Sequence, residues 1–190
     1  MDKTRLVKIS KYLSKHLRHQ PERLGLVLAP GGWVEVEHLL RALEANNFPV
    51  TRAELEETVA RNDKQRFSFD QTNQLIRANQ GHTVEVDLQL EPTIPPPILY
   101  HGTGERSLES ILSSGLVKMA RHHVHLSADV ETARRVGARH GRAVVLVVKA
   151  AEMAEAGYEF FVSANGVWLV DSVPARFLIR LSRPRSNFGS

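Results

Sequence analysis

Arg121-His122-His123-Val124-His125-Leu126-Ser127 holds one arginine, three histidines and a serine around only two apolar residues. As a strand, its two-residue period sets Arg121, His123, His125 and Ser127 on one face and His122, Val124 and Leu126 on the other. Burying Val124 and Leu126 would hold the polar row in place, an arrangement suited to an anion or a sugar. The same alternation also describes the wet side of an ordinary half-buried strand, so the rest of the chain has to decide between them.

Working outward, the next segments on either side read as an α+β lobe. Ile98-Leu99-Tyr100 is expected to be a strand running into a small-residue turn, His101-Gly102-Thr103-Gly104, where backbone can approach a ligand. Helices are expected over about 107–113, closed by Gly115, and over 129–137. Ala143–Val148 reads as a buried strand, with further strands at 158–162, 167–170 and 177–181. Upstream, Glu91-Pro92-Thr93-Ile94-Pro95-Pro96-Pro97 carries four prolines in seven residues, which suit an extended connector and no helix or central strand. The expected domains are therefore 1–90, a linker at 91–97, and 98–190.

The first domain opens with an amphipathic helix from about Thr4 to Leu17, with Leu6, Ile9, Leu13 and Leu17 as its apolar stripe and Pro21 beyond its end. Arg18 and His19 stand at its carboxyl end, where cations also suit the helix dipole. Helices are expected at 38–45 and 52–61, the second opened by a Thr51/Glu54 capping box. The turn Ala29-Pro30-Gly31-Gly32 precedes an expected short strand at Trp33-Val34-Glu35-Val36, and strands are expected at 64–70 and 84–88. Helices followed by two such strands suggest a winged-helix-like lobe.

The 190 residues carry a net charge of +4 and no cysteine, which excludes disulfides, thiolate metal sites and cysteine nucleophiles. Residues 1–23 contain seven Lys/Arg against Asp2 and Glu22, so positive charge is concentrated at the start, a pattern compatible both with a phosphate-rich partner and with a solvated helix face. The sequence shows neither an apolar signal-peptide core nor a membrane-length apolar run. A soluble, cytoplasmic protein without an obligate protein partner, a monomer, is the expectation. His122, His123 and His125 also invite a metalloenzyme reading, but neighbours on a strand point oppositely and no His-Glu-x-x-His pair accompanies them.

Taken together, Leu17-Arg18-His19, Gly31-Gly32-Trp33-Val34, Arg66-Phe67, Ile76-Arg77-Ala78-Asn79-Gln80-Gly81-His82, Tyr100-His101-Gly102-Thr103, the Arg121–Ser127 stretch and Asn165-Gly166-Val167-Trp168-Leu169 resemble the NAD-dependent RNA 2'-phosphotransferase family, also called KptA-like. The match spans nearly the whole chain. The resemblance implies a winged-helix-like, RNA-binding lobe joined to an ADP-ribosyltransferase-like, NAD-binding lobe, with the active site between them. It also implies the chemistry: an RNA 2'-phosphate attacks the nicotinamide ribose of NAD and expels nicotinamide, and the neighbouring ribose hydroxyl then attacks the phosphorus. RNA leaves with a 2'-hydroxyl, and ADP-ribose cyclic phosphate forms.

By resemblance, Arg18, His19, Arg66 and Arg121 form the catalytic tetrad, with the guanidinium groups clamping phosphate and His19 as general acid or orienting group. His101, Gly102 and Thr103 would meet nicotinamide and its ribose, with His125 and Ser127 alongside; Ser110, Gly115 and Leu116 would line the same cleft. No metal is implied. Asn165-Gly166-Val167-Trp168 lacks the glutamate that many ADP-ribosyltransferases carry on a later strand, which fits a nucleophile that is already ionised. Arg134, Arg135, Arg139 and Arg142 read as solvated arginines that can extend a basic surface. Two other readings remain: transfer of ADP-ribose to a terminal nucleic-acid phosphate without the second step, and a nucleic-acid-binding module without activity.

Overall fold

The computed structural model describes residues 1–62, 64–119 and 122–181. The chain is mixed α/β, with helices and several small antiparallel sheets. It divides into two compact units. The first comprises Met1–Glu91 with the described residues of Met119–His122 and with Val162–Asn165; the second comprises Pro92–Lys118, His123–Phe161 and the described residues of Gly166–Ser190. Among the described residues no helix is long and apolar enough to cross a membrane.

The first unit is built on α1 (Lys3–His19), whose Asp2 cap accepts the Thr4 amide at 3.1 Å and whose Ile9, Leu13 and Leu17 are wholly buried. The helix runs two residues past the expected end. Arg18 and His19 therefore sit on its last turn, with side-chain directions set by helical geometry rather than by a loop. Strand β1 (Trp33–Glu35) leads into α2 (Val36–Ala45), and α3 (Arg52–Ala60) carries the Thr51/Glu54 capping box that its sequence predicts.

Strands β2 (Phe67–Phe69) and β3 (Leu75–Ala78) form a hairpin in register Phe67↔Ala78, and β1 pairs with the other edge of β3. Asp70 makes the turn: its carboxylate accepts the Leu75 amide at 2.7 Å and the Thr72 amide at 3.1 Å. The second hairpin strand is thus 75–78, and the strand expected at 84–88 is absent. That segment alternates in exposure, but point contacts rather than a ladder hold it, such as the Gly31 amide on the Asp87 carbonyl at 2.7 Å. Alternation sets which side chains are half-buried; it does not supply a strand to pair with.

In the second unit β4 (Leu99–Gly104) pairs antiparallel with β7 (Ala143–Val148) over six residues, and β11 (Leu178–Arg180) takes the far edge of β7. Val144, Val145, Leu146 and Val148 are all buried. Helix α4 (Leu108–Ser114) ends at Gly115, and β5 (Leu116–Val117) follows it. Strand β6 (Val124–Leu126), then α5 (Val130–Gly137), α6 (Ala150–Glu155), β8 (Phe160–Val162), β9 (Trp168–Val170) and β10 (Ser172–Val173) complete the unit. A second sheet runs β6–β9–β8, and β5 pairs with β10.

The stretch expected to turn at 101–104 is instead the last four residues of β4. The reason is packing. A Cβ on Gly102 would overlap the backbone carbonyl of Ala133 in α5, and one on Gly104 would overlap that of His140, so the glycines admit the covering helix and the turn after it. The proline segment is extended and tethered in this unit, with the Thr93 amide on the Phe160 carbonyl at 2.7 Å and the Ala151 amide on the Pro97 carbonyl at 3.2 Å.

Candidate active site

Three of the four residues of the expected tetrad come together in the first unit; Arg121 lies outside the described residues. Arg18 Nη2 reaches the carbonyl oxygen of Arg66 at 3.5 Å, so the end of α1 and the start of the β2 hairpin present their guanidinium groups from adjoining backbone. Arg66 is held from several directions. Its carbonyl accepts the Asn79 amide at 2.9 Å, Asn79 Nδ2 donates to the Gln65 carbonyl at 2.6 Å, and Arg66 Nη1 donates to Asn62 Oδ1 at 3.4 Å. Asn62, only 6% exposed, is fixed in turn by its amide on Ser10 Oγ at 3.0 Å.

The segment after β3 closes over the end of α1. The Thr83 amide donates to the Arg18 carbonyl at 2.9 Å, Thr83 Oγ1 lies 3.0 Å from His19 Nδ1, and His122 Nε2 donates to the Val84 carbonyl at 2.6 Å. His82 is 1% exposed, and neither ring nitrogen has a hydrogen-bond partner among the described residues. Burial, and then the charges of Arg18, His122, His19 and Arg77, push its pKa from 6.5 down to about 4. Arg77 stacks 4.5 Å over the Trp33 ring and donates to the Gly31 carbonyl at 3.3 Å. This corner of the unit sets the guanidinium groups of Arg18 and Arg77 close to the buried His82 imidazole, an electrostatic environment that favours an anion.

Asn62, Ser10 and Thr83 were not singled out by the sequence; His82 stood there only within the 76–82 motif and His122 only in the 121–127 stretch and the metalloenzyme reading. Ser10 beside the apolar stripe of α1 offered one available hint. The others follow from pairings distant in sequence.

The second unit gathers a different set. The Tyr100 amide donates to the Ser127 carbonyl at 2.9 Å and the Ser127 amide to the Tyr100 carbonyl at 2.7 Å, so the end of β6 is tied to β4. His101 Nδ1 lies 3.1 Å from the His125 carbonyl; a carbonyl only accepts, so the ring carries its proton on Nδ1 in that bond. His101, His125 and Ser127 thus adjoin, with buried Thr103 two residues along β4. Among the described residues of the stretch, 122–127, Val124–Leu126 is regular strand, with Val124 and Leu126 buried and His125 half-exposed.

Three of the remaining candidates have packing roles of their own. Gly102 makes room for α5. Gly115 has φ +84° and backs onto the Val173–Ala175 backbone, and Leu116 is 5% exposed in the core. Ser110 is exposed on α4, its carbonyl accepting from Ser113 Oγ at 3.0 Å. Among the described residues no three His, Cys, Asp or Glu side chains are grouped to hold a metal ion.

Residues 4–172 match the family model described as RNA 2'-phosphotransferase, Tpt1 / KptA family. A protein of Trichormus variabilis called "Probable RNA 2'-phosphotransferase" is 65% identical over 94% of this chain and 98% of its own length. Proteins of the same name from Nostoc punctiforme and Herpetosiphon aurantiacus are 62% and 60% identical, over 95% and 94% of this chain and 100% and 98% of theirs. With its cationic corner and with relatives matched almost from end to end, this chain belongs to the RNA 2'-phosphotransferase family.

Proposed function

We propose that the chain removes an internal 2'-phosphate from RNA, such as that left at a tRNA splice junction, by transferring it to NAD in two steps. The observation that carries this reading is the convergence of Arg18, His19 and Arg66 on one corner of the first unit. On this reading the first unit is the winged-helix-like, RNA-binding lobe, the second is the ADP-ribosyltransferase-like lobe, and the protein works in the cytoplasm.

Arg18 and Arg66 bind and desolvate the phosphate dianion, and Arg121 is assigned to the same clamp by resemblance. Guanidinium groups suit this work because they stay protonated and match pairs of phosphate oxygens. His101, Thr103, His125 and Ser127 would hold the nicotinamide and its ribose. Imidazole and hydroxyl groups on adjoining strands are a fitting donor set for an amide and a sugar. NAD supplies an electrophilic anomeric carbon; the protein supplies aim for the phosphate and, in the second step, a proton for the departing RNA 2'-oxygen. On this reading His19 gives that proton.

The test is incubation with a short RNA bearing one internal 2'-phosphate, with and without NAD. The expected products are 2'-hydroxyl RNA and ADP-ribose 1'',2''-cyclic phosphate, formed only with NAD. ADP-ribosylated RNA that never resolves would move the assignment to a transferase acting on nucleic-acid phosphates. RNA binding without any product would leave a binding module.

A further inference from the structure

We infer that Thr83 is a positioning residue for His19: its hydroxyl fixes the imidazole so that Nδ1 keeps its proton and Nε2 is the nitrogen that gives one up. The inference rests on the reading of His19 as proton donor in the second step.

The contact itself is direct, Nδ1 to Oγ1 at 3.0 Å. The backbone around Thr83 is anchored on both sides, although its side chain is exposed. The Thr83 amide occupies the Arg18 carbonyl at the open end of α1, at 2.9 Å. One residue earlier His82 is buried against Gly32, where a Cβ would stand 3.5 Å from His82 Nε2. One residue later the Val84 carbonyl receives His122 Nε2 at 2.6 Å. Three successive residues are thereby pinned, and the hydroxyl is delivered to His19 by a backbone that cannot easily drift.

The proton accounting gives the direction. An imidazolium has N–H on both nitrogens, so at Nδ1 only an acceptor serves, and the threonine oxygen is one. If the same oxygen accepts Nδ1–H after the proton has left Nε2, the bond survives the step without reorganisation. In that step the attacking ribose hydroxyl loses its proton to water and forms the new bond to phosphorus. The bond from phosphorus to the RNA 2'-oxygen breaks with its electron pair on that oxygen, which takes the proton from His19 Nε2. Fixing the tautomer of a catalytic histidine through its other nitrogen is worth one or more orders of magnitude in rate in other enzymes.

The experiment uses the full chain labelled with 15N-histidine, with His19 resonances assigned by comparison with His19→Gln. Long-range proton–nitrogen spectra at neutral pH report the tautomer in wild type, Thr83→Val and Thr83→Ser. Valine keeps the β-branched shape and the backbone amide while removing the hydroxyl. The expected result is an Nδ1–H tautomer in wild type and serine variant, and a shift toward Nε2–H in the valine variant. In parallel, Thr83→Val should slow resolution of ADP-ribosylated RNA by about tenfold, with serine restoring most of it and the first step changed little. A wild-type Nε2–H tautomer, or a valine variant with unaltered second step, overturns the inference. Should wild type itself show no second step, the functional reading fails, while the spectra still decide whether Thr83 sets the tautomer.

Discussion

The two units place their candidate residues in opposite ways. In the first, Arg18, His19 and Arg66 project from a helix end and a hairpin shoulder and are steered by hydrogen bonds to backbone and to Asn62 and Thr83. In the second, the candidates Gly102, Gly115 and Leu116 are themselves part of the packing, and the candidate side chains with polar groups to offer a ligand are His101, Thr103, His125, Ser127 and Ser110. Chemistry and stability are therefore separable in the first unit and entangled in the second. A lost activity means different things in the two places.

The largest expected effect is Gly102→Val, which puts a side chain where the Ala133 carbonyl stands. Overpacking against backbone has no flexible neighbour to yield, so we expect a loss of more than ~3 kcal/mol, read as lost soluble yield or a collapsed thermal midpoint. A folded but inactive variant would instead make Gly102 a ligand position and break the contrast. Next, Arg66→Ala should cost about 2.7 to 4 kcal/mol in transition-state stabilisation, a rate loss of 10² to 10³, with the thermal midpoint almost unmoved. A large drop in that midpoint would show that chemistry and stability are entangled in the first unit as well.

His82 tests the first unit by acid. Its folded pKa of about 4 lies below its ordinary 6.5, so as pH falls the unfolded chain takes the proton first. Stability is undiminished by this group above pH 6.5 and falls between 6.5 and 4, by on the order of 3 kcal/mol. His82→Phe should flatten that part of the stability–pH curve, measured by denaturant melts from pH 7 to 4. An unchanged slope would mean that the imidazole is not held neutral. The smallest effect is expected at Ser110→Ala: no change in stability, and a KM for NAD raised about fivefold, the worth of one ordinary hydrogen bond. An unchanged KM would remove Ser110 from the site and leave the second unit's polar set on β4 and β6.

The sequence alone carried the family, most of the helices, the buried strand at 143–148 and the residue types of the cationic corner. Apolar periodicity, capping boxes and motif order are local or nearly local properties, and they survive translation into structure. Tertiary contacts decided what local pattern cannot express. Residues 84–88 have the alternation of a strand but meet the end of α1 at Val84 and Gly31–Gly32 at Asp87 and Leu88 without a ladder, because pairing needs a second edge. Gly102 looked like a flexible turn and turned out to be a site of close helix packing, because only α5, some thirty residues further on, reveals what its missing Cβ avoids. The partnership of His19 with Thr83, 64 residues apart, and the burial of His82 were likewise invisible. Orientation of a side chain depends on which distant backbone comes to meet it, and that is set by the packing of the whole unit.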